Sequence, residues 1–181
     1  MNVVLMGLRG SGKSTLGIRL AQALGRPFLD LDEVTPRLLG GVHVADVWNT
    51  HGQKAFREAE VRALEESLST DGRVIALGGG TPTAPNAAKR LQEGQDRGEL
   101  MLIYLRANAV TLRERLKNAG NTHRPSLTGS DVLDEIDAVH EVRDPHYRGL
   151  ASVVIEIDGC DEASVLATLV RICRNRGVNA R

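Results

Sequence analysis

The segment Gly7-Leu8-Arg9-Gly10-Ser11-Gly12-Lys13-Ser14 constrains this chain more than any other. It follows a short apolar run, Val3-Val4-Leu5-Met6, and precedes a stretch with Leu16, Leu20, Ala21 and Leu24 on one helical stripe before Gly25. That order predicts a buried strand, a glycine-rich turn and a helix opening at Lys13. Such a turn is a phosphate cradle. Its glycines let backbone N–H groups converge on an anion, and the helix adds the positive end of its dipole. Lys13 can bridge the outer phosphates, and Ser14 can offer a hydroxyl to Mg²⁺. Gly10, Ser11, Gly12, Lys13, Ser14 and Thr15 are therefore the expected residues that bind a nucleotide's phosphates.

The rest of the chain repeats the alternation. Strands are expected at Pro27–Asp30, Val74–Leu77, Met101–Leu105 and Ser152–Ile157. Helices are expected at Asp32–Leu39, Val44–Asn49, Gln53–Ser69, Asn86–Gln92, Val110–Lys117, Ser130–Tyr147 and Glu162–Arg174. Strands separated by helices imply an α/β fold, a three-layer α/β/α sandwich around a five-stranded parallel sheet. Ligands in such sheets sit beyond the carboxyl ends of the strands. With 181 residues and 41% hydrophobic content, a single domain over 1–181 is expected.

Lys plus Arg and Asp plus Glu are 23 each, so no global field draws in nucleic acid or a membrane surface. Cys160 and Cys173 have no metal-ligand spacing, and the apolar start is too short for a signal or a span. A cytoplasmic protein with free thiols is expected. His123 and His146 likewise lack metal spacing.

Asp-x-x-Gly and Asn-Lys-x-Asp are both absent, which excludes a GTPase switch. The third strand ends in Gly78-Gly79-Gly80 rather than in a metal-binding Asp. The carboxylates come instead from Asp30-Leu31-Asp32. Asp30 can face the metal, directly or through water, and Asp32 can orient an acceptor hydroxyl or take its proton. Asp32 can equally cap the next helix.

Arg57 and Glu60 are three residues apart on one helix. They form either a surface ion pair or a braced arginine that grips a carboxylate. Three successive glycines exceed what a turn needs. They form a loose loop or allow close backbone approach to a ligand. Arg124-Pro125-Ser126-Leu127 lies in a polar stretch suited to a lid over about 118–130, whose arginine can neutralise charge on the transferring phosphoryl group. Arg143 lies beside a bend expected at Pro145.

In this order the motifs resemble the shikimate kinase family along essentially the whole chain: Gly7 to Thr15, Asp30-Leu31-Asp32, Phe56-Arg57, Gly78-Gly79-Gly80, Arg124-Pro125 and Arg143-x-Pro-x-Tyr147. The resemblance implies transfer of the γ-phosphate of MgATP to the 3-hydroxyl of shikimate, a step of aromatic amino-acid biosynthesis. It implies Lys13, Asp32 and Arg124 as catalytic residues, and Asp32, Arg57, Gly78, Gly79, Gly80 and Arg143 as shikimate-binding residues. It also implies Ser14 and Asp30 as metal residues, a substrate-binding segment over about 31–60, and Trp48 as an aromatic wall. Ser126 stands where the family usually has Leu, and Cys160, in the expected adenine loop after Asp158-Gly159, where it has a basic residue. Arg115 and Lys117 compete as a further nucleotide contact. The expected partners are ATP and shikimate, bound by a monomer. The alternatives are another small-metabolite kinase such as gluconate kinase, or a kinase-like binding protein without catalysis.

Overall fold

The computed structural model describes residues 1–118, 133 and 135–178. Its sheet has five parallel strands: β1 (Asn2–Met6), β2 (Phe28–Asp30), β3 (Val74–Ala76), β4 (Leu100–Arg106) and β5 (Val153–Glu156), in the order β2-β3-β1-β4-β5. β1 lies between β3 and β4, with Leu5 opposite Ala76 on one side and Ile103 on the other. All its residues are buried, as a strand covered on both faces requires. The loop after β1 therefore leaves the middle of the carboxyl edge.

The helices are α1 (Lys13–Leu24), α2 (Leu31–Leu38), α3 (Val44–Leu68), α4 (Ala87–Asp96), α5 (Ala109–Asn118), α6 (Ile136–Leu150) and α7 (Glu162–Asn175). The crossover from β1 to β2 runs one way along the sheet, and that from β3 to β4 runs the other. Both are right-handed by the strong preference for parallel strands, so α1 and α4 cover opposite faces. The packing follows: α1 lies against α7, and α4 against α6. The result is the three-layer arrangement read from the sequence.

Two local features depart from expectation. The helices expected to be separate at Val44–Asn49 and Gln53–Ser69 form one kinked element, α3, with Gly52 at φ 79° and ψ 170° at the break. A residue with a Cβ rarely adopts that φ, so the glycine sets the kink. Pro145, expected to mark a bend, does not end the helix; it lies inside α6. It removes only one helical donor, and α6 has other anchors.

Asp144 supplies one of them. Its carboxylate accepts hydrogen bonds from Tyr104 Oη (2.8 Å), Arg106 Nε (2.7 Å) and Arg106 Nη2 (3.1 Å), both on β4. Burial alone would raise the Asp144 pKa, but the hydrogen bonds from Arg106 and Tyr104 outweigh it and hold the carboxyl below 3.8. A depressed carboxylate stabilises the fold above its unfolded pKa, and the contribution fades as pH falls through the folded value. Asp144→Asn is expected to flatten the dependence of Tm on pH below about 4, as measured by thermal melts across the acid range.

Candidate active site

The phosphate loop has the backbone its sequence demands. Gly10 and Gly12 sit at φ 85° and 84°, in the left-handed region that glycine tolerates. A Cβ on Gly7 would fall 2.6 Å from Ser11 Oγ and 2.8 Å from the Leu105 carbonyl oxygen, so this turn needs glycine for space. Lys13 is buried, and its Nζ donates to the Leu8 carbonyl at 3.1 Å, back across the loop. Burial raises the Asp30 pKa, the neighbouring Ser14 hydroxyl opposes it, and nearby Asp32 adds to it.

The two carboxylates of the Asp-Leu-Asp run part ways. Asp30 is the N-cap of α2: its Oδ1 accepts the Asp32 N–H at 2.9 Å. The capping role that the sequence offered to Asp32 thus belongs to Asp30, and the Asp32 side chain turns to a cleft. Asp32, Arg57, Glu60, Gly79, Gly80 and Arg143 line that cleft, with Trp48 and Phe56 as an aromatic wall. Leu8 and Arg9 of the phosphate loop form part of its lining, so the cleft opens beside the cradle.

Arg57 is braced rather than loose. Its Nη1 donates to Glu60 Oε2, and its guanidinium carbon stands 5.5 Å from the centroid of the Trp48 ring. Glu60 is only 2% exposed, and its Oε1 accepts from Thr81 Oγ1 at 3.0 Å. Burial pushes its carboxyl up even against the opposing charge of Arg57. Of the two readings of the Arg57–Glu60 spacing, the surface ion pair is excluded by this burial.

The glycine run is neither loose nor superfluous. A Cβ on Gly78 would lie 2.8 Å from Thr81 Oγ1, 2.9 Å from Asp32 Oδ1 and 3.0 Å from Glu60 Oε1. One on Gly80 would collide with the Arg57 guanidinium, 2.8 Å from Nη2 and 2.9 Å from Cζ. The glycines are thus where three side chains, distant in sequence, close on the backbone. The Gly79 carbonyl accepts from Arg143 Nη1 at 2.9 Å and from Tyr147 Oη at 2.8 Å. Burial pushes the Tyr147 hydroxyl up to about 12, so it remains a donor.

A second groove runs along the other side of the loop. Gly10, Ser11, Gly12, Thr15, Arg115 and Cys160 line it. Arg115 Nη2 reaches the Ile157 carbonyl at 3.4 Å, whereas Lys117 is exposed and outside the groove. Of the two residues that compete in the sequence, Arg115 lines the groove and Lys117 does not. Arg124, with His123 and Ser126, lies outside the described residues. No cluster of three or more His, Cys, Asp or Glu that could hold a metal occurs among the described residues.

No motif in the sequence singles out Thr81, although it directly follows the glycine run. Tyr147 stands there only as a motif position, although its i, i+4 spacing from Arg143 puts the two on one helix face. Arg9, a variable letter of the loop motif, gave no signal of its place in the cleft.

A phosphate loop at the middle of a parallel sheet's carboxyl edge, with a carboxylate and two arginines in an adjoining cleft, defines a P-loop kinase of small metabolites. A family model described as "Shikimate kinase" matches residues 9–174. The chain belongs to the shikimate kinase family, whose members use ATP as phosphoryl donor. The shikimate kinase of Symbiobacterium thermophilum is 35% identical over 177 residues, 98% of each chain. That of Dechloromonas aromatica is 33% identical, covering 94% of this chain and 88% of its own. Among solved structures, shikimate kinase from Acinetobacter baumannii in complex with shikimate aligns with a TM-score of 0.83 at 28% identity, over 96% of this chain and 93% of that one. A gluconokinase from Sinorhizobium meliloti aligns with a TM-score of 0.55 at 19% identity, a likeness of fold alone.

Proposed function

We propose that this chain transfers the γ-phosphate of MgATP to the 3-hydroxyl of shikimate, giving shikimate 3-phosphate and ADP in aromatic amino-acid biosynthesis. The observation that carries this reading is the convergence of Asp32, Arg57 and Arg143 on a cleft whose lining includes part of the phosphate loop. An anionic ring alcohol matches that set. Two guanidinium groups suit a carboxylate, and one carboxylate suits the reacting hydroxyl. Asp32 orients that hydroxyl and accepts its proton as the O–P bond forms. Lys13 leaves the Leu8 carbonyl to neutralise the terminal phosphates. Gly78, Gly79 and Gly80 bring backbone against the acceptor, and Trp48 closes one wall. Gly10, Ser11, Gly12 and Thr15 hold the donor's phosphates, and Arg124 is the lid arginine of this scheme.

Ser14 and Asp30 fit a hard divalent cation: both are oxygen donors, close enough at the cradle for the Ser14 hydroxyl to lower the Asp30 pKa. The cation would neutralise charge on the phosphates. A chelator in excess is therefore expected to abolish transfer, and added Mg²⁺ to restore it.

Shikimate-dependent ADP formation by the purified protein tests the reading, with gluconate as the competing acceptor. Turnover of gluconate without turnover of shikimate would overturn it. Gly80→Ala supplies a finer check. The added methyl must displace Arg57, so the KM for shikimate is expected to rise about 10-fold or more with the KM for ATP little changed. The protein is further proposed to act as a monomer in the cytoplasm, which light scattering and cell fractionation check. No helix among the described residues is long and apolar enough to cross a membrane.

A further inference from the structure

Three neighbouring side chains of α6 divide their work between two parts of the molecule. Arg143 and Tyr147, four residues apart, share one face and both donate to the Gly79 carbonyl at the cleft, at 2.9 Å and 2.8 Å. Asp144, the next residue after Arg143, is turned to β4 and takes three hydrogen bonds there, from Tyr104 and the fork of Arg106. Arg106 is held in turn by Glu156 of β5 at 2.9 Å. The rings of Tyr104 and Tyr147 meet edge to face, 5.7 Å between centroids at 84°, so the two halves of the arrangement also touch directly.

A helix can slide or turn on an apolar sheet at little cost, because such contacts are non-directional. A bidentate arginine–carboxylate pair is directional. Here the carboxylate belongs to the helix and the guanidinium to the sheet, so the pair fixes the rotation of α6 about its own axis. Since Arg143 is one step along the helix from Asp144, that rotation also decides where its guanidinium points.

We propose that Asp144, through Arg106 and Tyr104, is a positioning residue that sets α6 so that Arg143 meets the acceptor's carboxylate. The role is distinct from catalysis, because Asp144 touches neither reactant. It rests on the reading of Arg143 as a shikimate-binding residue.

The test is a double-mutant cycle on the purified enzyme, with steady-state kinetics in shikimate and in ATP. Asp144→Asn keeps the shape but loses the charge-assisted fork. It is expected to raise the KM for shikimate about 10-fold, since small misplacements of a binding group carry costs of that order, and to leave the KM for ATP within about 2-fold. In an Arg143→Ala background, Asp144→Asn is expected to add almost nothing to the KM for shikimate, because its effect passes through the missing guanidinium. Tyr104→Phe is expected to show the same pattern at smaller size, and it removes only one hydroxyl should Asp144→Asn fold poorly. Glu156→Gln, on the more exposed side of Arg106, is expected to leave both KM values unchanged.

A merely structural role predicts a lower Tm with both KM values unchanged, and that result would overturn the proposal. So would equal effects of Asp144→Asn with and without Arg143. Failure of the wild-type protein to phosphorylate shikimate would remove both the substrate reading and this role. Activity with an unresponsive Asp144→Asn would remove this role alone.

Discussion

Asp32→Asn is expected to cut turnover of shikimate by about 10²-fold or more while ATP binding stays within about 2-fold, as befits loss of a positioned proton acceptor. The substitution keeps size and hydrogen-bonding capacity and removes the basic oxygen. The fold should bear it, because the capping of α2 is done by Asp30, not by Asp32. The ATP-binding loop should bear it too, because Asp32 is no part of the groove lined by Gly10, Ser11, Gly12 and Thr15. Single-turnover rates with saturating ATP, beside equilibrium binding of a non-hydrolysable analogue, separate the two effects. Turnover near the wild-type rate would take Asp32 out of the chemistry.

Arg57→Ala should be the more damaging of the arginine changes. Truncating one partner of a desolvated charge pair at a binding site costs about 2–5 kcal/mol, so kcat/KM for shikimate is expected to fall by about 10²-fold or more. The loss has two sources. The acceptor's carboxylate loses a fork, and Glu60, 2% exposed, is left with Thr81 as its hydroxyl donor and no guanidinium. The second source also lowers Tm, and Arg57→Lys isolates the first. Lysine keeps a charge near Glu60 but has no fork, so it should restore much of the Tm and little of the shikimate affinity. In both variants the KM for ATP should hardly move. Equal losses for ATP and shikimate would contradict a carboxylate-gripping role.

The parts of this molecule legible in its sequence are those written in local pattern. β1 and β4 are continuous apolar runs because they are covered on both faces, and the loop after β1 carries its own chemistry in its residue types. The helical spans 44–49 and 53–69 are legible on either side of Gly52. Their merger across a kink is not, since it depends on the φ that one glycine adopts.

What stayed hidden was what contacts between distant residues decide. Asp30 and Asp32 are equally good caps by type, and only the direction of the backbone entering α2 selects Asp30. The glycines at 78 to 80 leave a loose loop and a close approach both open in the sequence, because Asp32, Glu60 and Arg57, which crowd them, come from α2 and α3. The link from Arg106 to Asp144 spans 38 residues and leaves no periodic trace. Pro145 read as a bend because prolines usually end helices, yet α6, tied to β4 by Asp144 and to Gly79 by Arg143 and Tyr147, runs through it.

Transfer depends on where an anionic alcohol sits relative to the donor's phosphates. A crystal structure with ADP and shikimate bound tests that most directly. The shikimate carboxylate should lie between the guanidinium groups of Arg57 and Arg143, with its 3-hydroxyl in hydrogen-bonding distance of Asp32 and facing the phosphate end of ADP. Shikimate bound elsewhere, with both arginines turned to bulk water, would contradict it.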